Sequence, residues 1–318
     1  MAPPTAEPQP NANAHEGAWA EARPHVFETV RLLRALDDKL VSLQQNGEVA
    51  YYTSAAGEEL ATVAAAAALR PSDWLFPSTR DQGAALGRGT TLARLVHHFF
   101  GTAEDSAKGR QKPNLFGDPE HRVAGVSGGA SAHLPHAVGF AWAARSRKED
   151  IVVLAMFGEG ATSEGEFHNA ANFAGVMKAP VVFFCRNNDH AGHTPASRQT
   201  VSSSFAEKAV AYGFDGVVVD GGDPQAVFEA VRAAIAKAAR GGGATLIEAR
   251  TADLASKTTL STLTPSSEHV AAVEAAVSAA KNAAKPSPQT LFDDVYAELP
   301  PHLALQRNEL MNTKGTPS

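Results

Sequence analysis

Apolar residues recur along the chain in two rhythms. From His25 to Leu43, Phe27, Val30, Leu32, Leu33, Leu36, Leu40 and Leu43 fall at helical spacing among charges, which predicts an amphipathic helix. An Ala-rich run from Gly57-Glu58-Glu59 to Leu69 predicts a second helix, whose small side chains allow close packing. Further helices are expected over Thr91–Phe100 and Pro135–Ala144. The rhythm then changes. Ile151–Phe157 and Val181–Cys185 are short, continuous apolar runs, the pattern of strands buried on both faces of a parallel sheet. A short helix near Phe205–Tyr212, a strand over Gly216–Val219, a helix over Pro224–Ala239 and a strand over Thr245–Ala249 complete a βαβα alternation. The expected fold is α/β, a parallel sheet flanked by helices, with helical N- and C-terminal segments, the last helix spanning Val270–Ala283. Residues 1–20, rich in Pro, Ala and Asn, are expected to form a disordered tail. Residues 21–268 should form the α/β domain with a loop at 250–268, and residues 269–318 a C-terminal helical segment.

Composition narrows the function classes. A chain of 318 residues that is 44% hydrophobic can bury a large core. A net charge of −6 offers no general attraction to nucleic acid or to an anionic membrane. Cys185 is the single cysteine and lies in an apolar run, so it reads as a small buried hydrophobe. No apolar run approaches the roughly 20 residues of a membrane-spanning helix. The first 20 residues lack Arg and Lys and match neither a secretory nor a transit signal, so a cytoplasmic protein is expected.

The chemistry concentrates between Met156 and Pro195. The first buried strand stops at Gly158-Glu159-Gly160, where the chain must turn. Glycines there let backbone approach a ligand, and Thr162 and Ser163 are placed to cap the next helix. The second buried strand ends in Arg186-Asn187-Asn188. Both strand ends lie on one edge of a parallel sheet, so Glu159 and Asn188 are expected to meet there. A carboxylate and an amide carbonyl are hard oxygen ligands suited to Mg²⁺ that itself holds a diphosphate, and Arg186 could add positive charge. A dinucleotide fingerprint would require a third glycine at Ser163 and an acid after the second strand, where the chain has Arg-Asn-Asn. The remaining alternative is an ordinary turn and an ordinary loop.

Gly-acid-Gly followed at this interval by Asn-Asn resembles the thiamine diphosphate signature. FGEGATSEGEFHNAANFAG and FFCRNN resemble the alpha subunit of branched-chain 2-oxo acid dehydrogenases, as do YYTSAAGEEL, DWLFPSTRDQG and KPSPQTLFDDVYAELPPHL. The likeness extends over roughly residues 25 to 305 and implies a thiamine diphosphate-binding fold. It implies that Glu159, Asn188 and the backbone carbonyl of His190 ligate Mg²⁺, and that Thr79, Arg80, Gly158, Gly160, Ala161 and Arg186 contact the cofactor. It also implies a separate beta subunit in an α₂β₂ assembly, since a second α/β module for the pyrimidine would need about 150 further residues. The implied reaction is decarboxylation of a branched-chain 2-oxo acid, with the acyl group passed to a lipoyl acyltransferase. A pyruvate or acetoin-type alpha subunit is a related possibility, although the pyruvate type usually has Asp at Glu159.

Departures from the pattern cluster where the family does chemistry. The family's Tyr is Thr79, a His near the active site is Leu115, and Ala132 and His133 replace the Thr and Gln that, with Ser127, would hold a K⁺ ion. The segment after the last strand places Lys257 at the position of the active-site His. A Lys can hold a diphosphate there but does not readily relay a proton near neutral pH. These departures leave open a second expectation, a catalytically altered or non-catalytic paralogue that keeps the fold and the partner surface. His97 and His98, with no third partner at metal spacing, read as structural or surface histidines.

Overall fold

The computed structural model describes residues 12–125, 128–252, 262–293 and 295–312, with side chains from Gly17 onward. It opens with a long helix, α1 (Ala12–Gln45), so residues 12–20 are helical rather than part of a tail. The reason is tertiary. Trp19 is only 7% exposed and its ring lies 5.5 Å from that of Phe228, so burial carries the helix beyond the amphipathic repeat that begins at His25. The buried face of α1 carries the expected Val30, Leu33, Leu36, Leu40 and Leu43 together with Val26 and Ala35, while Phe27 and Leu32 are partly buried.

Next come α2 (Glu59–Ala67), a three-residue strand β1 (Trp74–Phe76), α3 (Gln82–Gly87) and α4 (Leu92–Phe100). Thr91 caps α4 through its side chain, and Gly101 closes it in the left-handed region at φ 56°. After α5 (His133–Ser146) the chain forms β2 (Val153–Gly158), a 3-10 turn at Glu159–Ser163, α6 (Gly165–Met177) and β3 (Val181–Asn187). Thr162 and Ser163 do not cap α6, whose N-cap is Glu164 with no side-chain cap bond. Thr162 Oγ1 instead donates to the Glu159 carbonyl at 2.8 Å and accepts from Lys208 Nζ at 2.9 Å, because the tight turn folds the hydroxyl back on itself.

A short hairpin of β4 (His190–Ala191) and β5 (Thr194–Pro195) follows, then α7 (Lys208–Ala211), β6 (Asp215–Asp220), α8 (Pro224–Ala239) and β7 (Thr245–Arg250). The main sheet has strand order β1-β2-β3-β7-β6, with every neighbouring pair parallel. Side chains alternate across it. Leu154, Met156, Val182, Phe184 and Ile247 pack with the face covered by α1, α2 and α8, whereas Val153, Ala155, Phe157, Phe183 and Leu246 pack under α5 and α6. Both faces are covered, which is why β2 and β3 read as unbroken apolar runs.

The C-terminal segment is helical at its start and end. Its first helix, α9 (Ser267–Asn282), starts two residues before the expected boundary at 268/269 and sends Val273, Val277 and Ala280 into the core shared with α1. The last helix, α10 (Pro301–Asn312), buries no residue. Among the described residues no helix is long and apolar enough to cross a membrane.

The placement of Trp19 yields a direct test. Trp19→Ala, or deletion of residues 1–20, lowers the unfolding free energy by roughly 3–5 kcal/mol, the usual cost of removing a buried Trp. Urea denaturation followed by circular dichroism measures this; an unchanged midpoint means that the first two turns of α1 do not pack.

Candidate functional site

The site forms where the carboxyl ends of β2 and β3 lie side by side. Their register pairs Gly158 with Arg186, so Glu159 emerges level with Asn187 and Asn188. This edge is where open parallel sheets bind ligands, since loops diverge there and leave a crevice. A cleft of about 330 Å³ occupies it, and Glu159, Asn188, Arg186 and His190 line it with Gly158, Gly160 and Ala161. From the loop after β1 come Thr79 and Arg80, and from the start of α2 comes Glu58. The structure therefore gathers every described candidate residue on one cleft. Lys257 lies outside the described residues, as does Ser127.

Each wall has a local cause. Asn187 is turned inward and buried: its amide donates to Glu248 at 2.8 Å, and its side-chain oxygen accepts from the Asp189 backbone N–H at 2.9 Å. That anchoring leaves Asn188 to face the cleft. Asp189 then adopts φ 67°, a left-handed conformation that turns β3 sharply into the β4–β5 hairpin carrying His190. Gly160 is required by this hairpin, because a Cβ at that position would lie 2.6 Å from the Ala191 side chain. A Cβ on Gly158 would meet nothing within 4 Å, so backbone there is open to the cleft.

Glu159 is 2% exposed, and among the described residues no cation pairs with it. Burial raises its carboxyl above the usual range, and the nearby Glu58 charge adds to this, against hydrogen bonds from backbone N–H groups and from Gln199. A buried carboxylate without a counter-cation, beside a second carboxylate and an amide oxygen, is a donor set that fits a hard divalent cation such as Mg²⁺.

Arg186, expected to contact the cofactor, lines the cleft but is already paired within the protein. It is 2% exposed, and its guanidinium contacts Glu58 at 2.6 Å, Asp81 at 3.1 Å and the Ser78 hydroxyl at 2.6 Å. Its charge is matched internally because β3 delivers it beneath the cleft, where an unpaired cation would carry a large desolvation cost. Arg80 is 43% exposed along its side chain and touches Glu58 at 3.5 Å, so it remains the cation able to reach a ligand. The Thr79 carbonyl is held from behind by Asn114 at 2.7 Å and Gln82 at 2.8 Å.

Glu58, Asp81 and Asn114 were not anticipated as site residues. Glu58 looked like the start of a structural helix, and its partner Arg186 lies 128 positions away, a separation no local pattern encodes. The only available signal was a pair of acids, Glu58 and Glu59, heading an otherwise apolar run. His133 is buried, and its Nε2–H donates to the Met156 carbonyl at 2.8 Å, with burial lowering its pKa. A buried imidazole tied to the sheet thus stands at the position where the resembled family has a Gln. Nearby, Ser131 bonds Glu164 through its backbone N–H at 3.0 Å and its hydroxyl at 2.5 Å. Leu115 packs against the apolar core. His97 and His98 are structural, bonded to Thr102 at 2.8 Å and Asp105 at 2.9 Å. Asp118, Glu120 and His121 have metal-type side chains in one cluster, but Arg94 already lies 3.2 Å from Asp118 and 2.5 Å from Glu120. A larger cleft of about 710 Å³ lies along the ends of β3, β7 and β6, lined by Thr200, Ser202, Asp220 and Arg250, and takes none of the candidate residues.

Comparison with known proteins follows the same lines. The dehydrogenase E1 component family matches residues 27–255. The chain is 38% identical to the 2-oxoisovalerate dehydrogenase subunit alpha of Bacillus subtilis over 75% of this chain and 73% of that protein. It is 40% identical to the 3-methyl-2-oxobutanoate dehydrogenase subunit alpha of Mycobacterium tuberculosis over 80% of this chain and 67% of that one. To the mitochondrial 2-oxoisovalerate dehydrogenase subunit alpha 2 of Arabidopsis thaliana it is 40% identical, over 71% of this chain and 48% of the relative.

The left-handed turn at Asp189 is testable. Asp189→Gly keeps or raises stability, whereas Asp189→Val costs roughly 1–2 kcal/mol because a β-branched residue resists positive φ. Chemical denaturation of both variants measures the difference, and equal midpoints would contradict this backbone geometry.

Proposed function

The chain belongs to the dehydrogenase E1 component family, and from that premise we propose that it is the alpha subunit of a thiamine diphosphate-dependent branched-chain 2-oxo acid dehydrogenase. In this reading it works in the cytoplasm with a beta subunit, as an α₂β₂ assembly, and delivers acyl groups to a lipoyl acyltransferase. One observation carries the proposal: the register of β2 on β3 brings Glu159, Asn188 and His190 onto the same cleft as Arg80. Hard oxygen donors and an available guanidinium are what a magnesium diphosphate requires.

Glu159 and Asn188 would ligate Mg²⁺ with the backbone carbonyl of His190. Arg80 would bind a phosphate oxygen, and the open backbone at Gly158 would permit close approach. Gly160 keeps the hairpin seated, and Lys208 steadies the turn by donating to Thr162, whose hydroxyl in turn holds the Glu159 carbonyl. When bound, thiamine diphosphate supplies the carbanion and electron sink that 2-oxo acid decarboxylation needs. The carboxylate that activates its aminopyrimidine would come from the beta subunit. Lys257 remains a candidate for a diphosphate contact at the family's His position.

A second reading is a catalytically altered or non-catalytic paralogue that keeps the fold and the partner surface. Apolar packing of Leu115 and the sheet-bound His133 favour it, because both positions lose groups the family uses near the reacting centre.

Co-purification with a beta subunit, followed by measurement of cofactor binding and 2-oxo acid decarboxylation, separates the two readings. Turnover supports the enzyme and rejects the paralogue, whereas no cofactor binding at millimolar Mg²⁺ rejects the enzyme. Glu159→Ala lowers magnesium-dependent cofactor affinity at least tenfold, about 1.4 kcal/mol, by calorimetric titration. Unchanged affinity would mean that Glu159 is not a ligand.

A further inference from the structure

Glu58 occupies the N-cap position of α2, where a carboxylate ordinarily accepts hydrogen bonds from the first helical N–H groups, yet it makes no side-chain cap bond. Its carboxylate turns into the cleft instead and is 5% exposed. There it takes three donors from three parts of the chain: Arg186 at 2.6 Å, the Asn188 amide at 2.8 Å and Arg80 at 3.5 Å. The three contacts are unequal. Arg186 is buried and also held by Asp81 and Ser78, and Asn188 is fixed by the end of β3. Arg80 is the exposed partner with the longest contact, so it can leave without disturbing the others.

Charge around the cleft points the same way. Among the described residues two guanidinium groups, Arg80 and Arg186, line the cleft with three carboxylates, Glu58, Glu159 and Glu164, and the buried Asp81 lies 3.1 Å from Arg186. An anion entering this cleft without a metal meets a field that is already negative, and the low local dielectric strengthens the repulsion.

We propose that Glu58 is a positioning residue that serves as an internal counter-anion: it holds Arg80 until a phosphate oxygen replaces it, aligns Asn188, and makes anion binding depend on a divalent cation. The inference rests on the diphosphate reading of the site. When phosphate enters with its metal, Arg80 moves from the Glu58 carboxylate to the phosphate, whereas Arg186 and Asn188 stay on Glu58.

The test is calorimetric titration of inorganic pyrophosphate, with and without Mg²⁺, into the full-length chain assembled with its beta subunit. Wild type binds pyrophosphate with Mg²⁺ and not measurably without it. Glu58→Gln gains metal-free affinity at least tenfold relative to the wild-type limit and shows a smaller enhancement by Mg²⁺, whereas Glu58→Asp keeps the wild-type metal requirement. A Glu58→Gln protein whose metal dependence matches wild type overturns this inference alone. Wild type that does not bind magnesium pyrophosphate overturns the diphosphate reading and this inference with it. A crystal structure of wild type with magnesium pyrophosphate gives a second test that needs no variant: Arg80 on the phosphate supports the inference, and Arg80 still on Glu58 overturns it.

Discussion

The buried contact between Arg186 and the carboxylates of Glu58 and Asp81 ties together the end of β3, the start of α2 and the loop after β1. Those segments are far apart in sequence, and the charge at Arg186 links them at one point. Removing one member of such a network typically costs about 3–5 kcal/mol, because the remaining charge stays buried without a partner. The same network defines the floor of the cleft. Arg80 and Asn188, the groups able to meet a ligand, both rest on Glu58.

Around that network the sheet acts as a ruler. Parallel pairing of Gly158 with Arg186 sets the height at which Glu159 and the Asn pair emerge, and the alternation of side chains across the sheet leaves no freedom to shift register by one residue. A slip would send Phe157 and Cys185 to the wrong helical layer. Precision at the site therefore comes from apolar packing remote from it, in the two layers under α1, α2 and α8 and under α5 and α6. Fine adjustments come from short polar links, such as Asn187 to Glu248 and Thr162 to the Glu159 carbonyl, which fix loop backbones that packing alone would leave free.

Much of this was legible in the residues. Continuous apolar runs announced β2 and β3, the βαβα alternation announced β7, and periodic Leu and Val positions announced α1. Gly-Glu-Gly and Asn-Asn at the ends of two such runs announced a shared edge. Less legible were features whose cause lies elsewhere in the chain. Three residues of β1 are too few to carry a periodicity, and they are strand only because β2 lies alongside. The first turns of α1 looked like a tail because Trp19 finds its partner, Phe228, on a distant helix. Thr162 has the chemistry of a helix cap, but the 3-10 turn directs its hydroxyl back to Glu159.

By itself, the sequence determined the layer architecture and the place where ligand-binding chemistry collects, because hydrophobic periodicity and turn residues are local properties. It also carried the pair of oxygen-bearing side chains, Glu159 and Asn188, that line the cleft. Only the tertiary structure decided which charges are free and which are already matched. Arg186 reads as a cation available to an anion, but folding buries it against Glu58 and Asp81, and a buried charge must find its partner within the protein. That single pairing leaves Arg80 as the more exposed guanidinium of the cleft and gives Glu58, an unremarked acid at the head of a helix, its place at the centre of the site.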